Sequence, residues 1–285
     1  MDHVRWGRRP SLRNPVVIVA FEGWNDAGDS STVAINHLRD CWRAEAFATI
    51  DPEEFFDFTS VRPQVSLEDG CQTAITWPST SLYSVILPEQ NFDLLLLVGV
   101  EPQLKWRTFA RQITSLADTY QARLVITLGA LLAEVPHSRP VSIIGSASAE
   151  EVVAAIDLTR SSYEGPSGIV AVVHDACMAA GFRAASLWAE VPTYVPAAPS
   201  PKAALALVRA TATLLGLHVD TTSLEISAES YERQITELVA ADDDTFRYVE
   251  RLERDSDENL FDAKETDGGE LVEELERFLR DRHHD

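Results

Sequence analysis

The side chains best suited to chemistry fall in three short stretches. Phe21-Glu22-Gly23-Trp24-Asn25-Asp26-Ala27-Gly28-Asp29 packs three acids, an amide and two glycines into a turn that follows the apolar run Val16 to Phe21. Glu101 ends a second apolar run, and His137 and Arg139 occupy a loop bounded by prolines, Glu134 to Pro140. Carboxylates at Glu22, Asp26 and Glu101 could hold Mg²⁺ if they converged, or could raise one another's pKa for general-base work. Glu22, Asn25 and Asp26 are the catalytic candidates, for proton transfer or to hold a sugar hydroxyl. His137 and Arg139 could bind phosphate, the guanidinium offering two parallel donors. Trp24 completes the candidate ligand-binding set of Glu22, Trp24, Asn25, Asp26, Glu101, His137 and Arg139. Each also has a structural reading: Asp26 or Asp29 capping the helix that follows, Glu22 bonding turn amides, and the 134–140 loop held by its own side-chain hydrogen bonds.

None of these stretches completes a motif with an assigned reaction. Gly23 and Gly28 lie five apart with no lysine nearby, which fits neither a P-loop nor a dinucleotide fingerprint. The only lysines are Lys105, Lys202 and Lys264, and none lies in a glycine-rich loop, which speaks against ATP. Ser167, in Gly165-Pro166-Ser167-Gly168, is one residue off nucleophile-elbow spacing and reads as a helix N-cap. His174 and Asp175 are neighbours on a helix and so do not face each other. No cofactor and no metal ligand set is assigned.

The elements that must position these residues follow from periodicity. Val16–Phe21 is apolar throughout and Asp93–Val100 is apolar after its first residue, and both read as strands buried on both faces; Arg123–Leu128 is a third. Helices are expected over Ser30–Arg43, over Lys105–Tyr120 with Trp106, Phe109, Ile113, Leu116 and Tyr120 in one stripe, over Ala149–Leu158, over Ile169–Ala180, and from Pro201 to Leu215. Ser200, Pro201 and Gly216 are the start and stop signals of the last. Further strands are expected at Ala44–Ile50, Val141–Gly145 and Ala184–Val191, with Gln72–Trp77 and Ser81–Leu87 as an antiparallel pair joined by Pro78-Ser79-Thr80. Phe55, Phe56 and Phe58 could cover the sheet edge or meet another subunit, or form local core under a loop. Alternating strands and helices give an α/β fold: a mixed, largely parallel sheet with helices on both faces. Ligands of such sheets gather at the carboxyl ends of the strands, where Glu22 and Glu101 lie.

That α/β core domain spans residues 1–219, and an acidic helical C-terminal region spans 220–285. In the latter, Tyr231, Ile235, Leu238 and Val239 form one stripe, Phe246, Val249 and Leu252 a second, and Leu271, Leu275, Phe278 and Leu279 a third, with a polar, mobile stretch expected over Arg254–Gly269. Such stripes need a partner surface, on the core or on a second subunit. The chain carries a net charge of -21, and residues 220–285 hold 22 acids against 8 bases. That balance excludes a nucleic-acid partner, which requires clustered Lys and Arg. Cys41, Cys71 and Cys177 lie far apart without CxxC spacing, so neither disulfides nor a zinc site is indicated. The apolar run after the basic start is too short for a signal peptide, and none is long enough to span a membrane, so a cytoplasmic protein is expected.

Taken together, several stretches resemble the proteasome assembly chaperone 2 family, and its uncharacterised bacterial branch in particular. They are Phe21 to Asp29, Gly99-Val100-Glu101-Pro102, Gly129-Ala130-Leu131-Leu132 with Val135 to Pro140, Tyr163 to Ile169, and Ser186-Leu187-Trp188 through Pro192. The resemblance implies a core like that of nucleoside phosphorylases and peptide hydrolases with a helical C-terminal extension, and a homotrimer. It brings no catalytic residues: eukaryotic relatives help assemble the proteasome α-ring. The tail His283-His284-Asp285 departs from the penultimate tyrosine with which family members dock on the proteasome. The expected function is therefore a non-catalytic, homo-oligomeric assembly chaperone or scaffold with a protein partner. The alternative is a phosphorylase- or hydrolase-like enzyme acting on a small anionic substrate.

Overall fold

The computed structural model describes residues 2–68, 71–147, 159–160 and 163–258. The strands are β1 (Val4–Trp6), β2 (Val16–Glu22), β3 (Glu45–Ile50), β4 (Gln64–Glu68), β5 (Cys71–Thr76), β6 (Thr80–Val85), β7 (Leu94–Val100), β8 (Leu124–Ala133), β9 (Ile143–Ala147), β10 (Thr159–Arg160) and β11 (Ala184–Pro192). The helices are α1 (Ser30–Cys41), α2 (Trp106–Thr119), α3 (Ile169–Ala179), α4 (Pro201–Leu215) and α5 (Thr222–Ala240), and then α6 over 243–258. Nine strands form one mixed sheet in the order β1-β3-β6-β7-β2-β8-β11-β9-β10. The four in the middle, β7-β2-β8-β11, run parallel, and antiparallel pairings flank them on both sides.

Why β2 is apolar from Val16 to Phe21 is plain from its place at the centre. Val16, Ile18 and Ala20 face Ala34, Ile35 and Leu38 of α1 and Ala204, Leu207 and Val208 of α4. Val17, Val19 and Phe21 face Phe109, Ile113 and Leu116 of α2 and Val170, Val173 and Cys177 of α3. Both faces are covered, so alternation disappears from the sequence. Phe55 and Phe56 are buried in the second of these cores, and Phe55 meets the Phe109 ring edge-on at 5.2 Å.

Several expectations are corrected. The predicted hairpin of Gln72–Trp77 with Ser81–Leu87 does not form. Instead β5 pairs with β4 in a separate two-stranded sheet, and β6 enters the main sheet between β3 and β7. The buried Thr80, Leu82 and Val85 explain β6's place, and Pro78 between the two runs has no N–H for a ladder. Strand β8 runs on to Ala133, through glycine where the sequence stops it: Gly129 lies flat against the Trp188 ring, and a Cβ there would come within 2.6 Å of it. In the C-terminal region Leu238 and Phe246 are exposed, and the buried stripe of α5 is Leu224, Ala228, Tyr231, Ile235 and Val239. Of the stretch expected to be polar and mobile, residues 254–258 are helical and belong to α6. The helix expected at Ala149–Leu158 and the stripe at Leu271–Leu279 lie outside the described residues. Among the described residues, no helix is long and apolar enough to cross a membrane.

Candidate functional site

At the carboxyl end of β2 the chain turns out of the sheet at Gly23, whose φ of +125° is open to glycine and strained for other residues. The next residues are tied on both sides. The Ala130 N–H of β8 donates to the Asn25 carbonyl at 2.8 Å, and the Glu101 N–H at the end of β7 donates to the Glu22 carbonyl at 2.8 Å. Asn25 is buried and donates from Nδ2 to Glu101 Oε1 at 2.8 Å. The same oxygen accepts the Ile169 N–H at 2.8 Å, and Oε2 receives the Trp24 N–H at 3.4 Å. One carboxylate thus joins the loops after β2 and β7 to the first turn of α3. Gly168 makes room for it, since a Cβ there would lie 2.0 Å from Asn25 Nδ2.

Asp26 also points inward. Its Oδ1 accepts the Ser31 N–H at 2.6 Å, the Ser31 hydroxyl at 2.7 Å and the Thr32 N–H at 3.3 Å, and its Oδ2 accepts the Thr32 hydroxyl. These amides belong to the first turn of α1, where a carboxylate satisfies donors that the helix leaves free. Burial raises the Asp26 pKa and the Ser31 and Thr32 hydrogen bonds pull against that rise. Glu22 is exposed at the rim; desolvation, then the charges of Asp26 and Asp29, raise its pKa. Trp24 turns outward and is 63% exposed. Leu104 in the loop after β7 and Tyr163 in the loop before α3 are exposed as well, the Tyr163 hydroxyl donating to the Pro166 carbonyl at 2.9 Å.

His137 and Arg139 have other partners. The buried His137 ring lies between the Tyr194 hydroxyl, 2.8 Å from Nδ1, and the Thr236 hydroxyl of α5, 3.0 Å from Nε2. Burial first, then Lys202, lowers its pKa, and Glu232 and Glu253 oppose them. Arg139 forms a bidentate pair with Asp257 of α6, both contacts at 2.8 Å. The fork the sequence offers to an anion is therefore held by a carboxylate of the same chain. A cavity of about 20 Å³ beside His137, Ser200 and Tyr231 has room for a single water.

The fold brings Asn25, Glu101 and the Trp24 backbone together, with Asp26 beside them bonded to the first turn of α1. Among the described residues, this group shares no hydrogen-bond partner with His137 and Arg139. Nor do three or more His, Cys, Asp or Glu side chains gather there to hold a metal. Sequence reasoning missed Ile169 and Gly168 as the other half of the Asn25–Glu101 contact. It also missed Tyr194, Lys202, Thr236, Glu253 and Asp257 around the 134–140 loop. The glycine at 168 was the one local signal of a close approach.

The model of the PAC2 family matches residues 20–239, which include Glu22, Trp24, Asn25, Asp26, Glu101, His137 and Arg139. The chain belongs to the PAC2 family. Among solved structures it is similar to a PAC2 family protein from Streptomyces avermitilis, with 41% identity over 82% of this chain and 99% of that one and a TM-score of 0.76. It is also similar to a proteasome-assembly chaperone homologue from Mycobacterium tuberculosis, with 40% identity, the same coverage of both chains and a TM-score of 0.75. An archaeal proteasome activator from Pyrococcus furiosus shares the fold at 18% identity and a TM-score of 0.67, over 82% of this chain and 97% of that one. No functionally curated protein matches this chain.

Proposed function

We propose that this PAC2 protein is a non-catalytic assembly chaperone or scaffold that works by binding other proteins. One observation carries the reading: the loop after β2 turns Asn25 and Asp26 inward, to Glu101 and to α1, while it presents the Trp24 indole to solvent. Carboxylates engaged by backbone amides hold loops in place, whereas an exposed tryptophan on a fixed loop is the kind of anchor that dominates protein interfaces. Exposed Leu104, in the loop after β7, and exposed Tyr163, in the loop before α3, support the reading. The 40% identical relative described as a proteasome-assembly chaperone homologue makes a ring-forming or otherwise self-assembling protein the first partner to test. On this reading the chain acts in the cytoplasm as a homo-oligomer, a trimer by family resemblance.

The test is capture of the tagged protein from native lysate under gentle cross-linking, beside a thermal-shift screen of nucleosides and phosphate. A stoichiometric protein partner with no shift from the small molecules is expected. Recovery of the homo-oligomer alone, with stabilisation by a phosphorylated small molecule, overturns the reading.

A further inference from the structure

The loop 135–140 binds the C-terminal helices almost entirely through polar contacts. Ser138 donates to Glu253, and Arg139 pairs with Asp257 and approaches Glu253 at 3.7 Å. Lys202 of α4 donates to the His137 carbonyl and to Glu232 of α5. Apolar contacts accompany them: Tyr231, Ile235, Val239 and Val249 cluster with Tyr194, Val195 and Ala198, and the Tyr248 ring of α6 meets the Tyr194 ring edge-on. At the centre of this joint lies the His137 imidazole.

Its proton inventory is fixed by its neighbours. The Thr236 hydroxyl donates its one hydrogen to the Glu232 carbonyl at 2.8 Å, so towards His137 Nε2 it can only accept. The Tyr194 hydroxyl oxygen accepts the His137 N–H at 2.7 Å and so donates to Nδ1. A neutral ring with hydrogen on Nε2 satisfies every contact. A second proton on Nδ1 opposes the Tyr194 O–H, which loses its acceptor inside a buried site.

We propose that His137 and Tyr194 form a proton-operated clasp, which holds α6 on the core while His137 is neutral and releases it when His137 becomes charged. The two residues that follow His137, Ser138 and Arg139, carry the contacts to α6, so a shift of the ring moves the loop that grips the helix. The charged groups facing the site are Lys202 of α4, Glu232 of α5, Glu253 and Asp257 of α6, and Arg139 in the loop itself; Tyr231 and Tyr248 are the neutral ones. Lys202 opposes the new cation, while Glu232 and Glu253 favour it but already serve Lys202, Ser138 and Arg139. The docked state therefore disfavours the proton that the released state accepts with an ordinary histidine pKa. Docking is complete above that pKa, about 6.5, and is lost as pH falls below it.

The test is hydrogen–deuterium exchange of the full chain between about pH 7.5 and 5.5, corrected for intrinsic exchange; this window brackets the ordinary histidine pKa. Exchange in peptides from 243–258 should rise by up to about tenfold per pH unit below about pH 6.5, the slope of one linked proton. His137→Gln keeps an uncharged donor towards Thr236 and should flatten the profile. Protection of α6 that is unchanged across this range in the natural chain, or an undiminished pH response in His137→Gln, overturns the clasp. If His137→Gln fails to fold, an NMR titration of the His137 ring in the natural protein decides. Titration below about 6.5 supports the clasp, and titration at or above that value overturns it.

Discussion

Asn25 and Glu101 lie 76 residues apart in sequence and share a 2.8 Å hydrogen bond, and the oxygen that accepts it also accepts the Ile169 N–H. Three sequence segments meet at that one oxygen. The contact gives a strand end, a Glu-Pro turn and a glycine-rich turn, each distinctive in sequence, one shared structural role.

If Glu101 works by accepting hydrogen bonds, its charge should matter less than its carbonyl-like oxygen. Glu101→Gln retains an acceptor for both short bonds and is expected to cost about 1 kcal/mol; Glu101→Ala leaves Asn25 and Ile169 without a partner and is expected to cost about 3 kcal/mol. Urea denaturation of the two variants measures the difference. Equal losses would mean that the negative charge is the essential property.

Gly168 has φ of −105°, which alanine adopts without strain, so any penalty at this position is steric. A Cβ placed 2.0 Å from Asn25 Nδ2 must displace the amide. Gly168→Ala is expected to lose about 3 kcal/mol of stability, at the upper end of overpacking effects. Asn25→Ala in the same chain should recover part of that loss, because it removes the clash.

Asp93 offers a prediction with a pH sign. Burial alone would raise its pKa, but hydrogen bonds from the Arg13 guanidinium and from the Leu87 and Arg13 amides hold it below the usual aspartate range. Its stabilisation is therefore present above about pH 4 and is lost as pH falls through the lowered native value. Arg13 is half exposed, so solvent screens part of its charge, and the Leu87 and Arg13 amides add to its hydrogen bond. Asp93→Ala is expected to cost about 2 kcal/mol at neutral pH. The gap in unfolding free energy between variant and natural chain should narrow on acidification below about pH 4.

The sequence was most legible where burial is two-sided and local. The apolar runs of β2 and β7 and the Phe109–Ile113–Leu116 stripe of α2 appear as read, because each reports its surroundings through its own residues. Pairing between distant segments was not legible. The partner of β5 is β4 rather than β6, a choice made by which strand buries its alternate residues in the sheet. Arg139 read as a phosphate ligand because nothing near it in sequence reveals Asp257, 118 residues on, as its anion. Of the seven candidate positions, the structure gives Asn25, Asp26 and Glu101 inward partners and leaves the Trp24 indole outward.

The central claim is that this rim binds protein through Trp24 and uses Glu101 only for support. Side-by-side capture from native lysate with the natural chain, Trp24→Ala and Glu101→Gln tests it most directly, each variant first shown to keep its fold by thermal melting. The account predicts that Glu101→Gln retains the stoichiometric partner and that Trp24→Ala loses it. Retention by Trp24→Ala together with loss in Glu101→Gln would contradict the account and make the carboxylate itself the functional group.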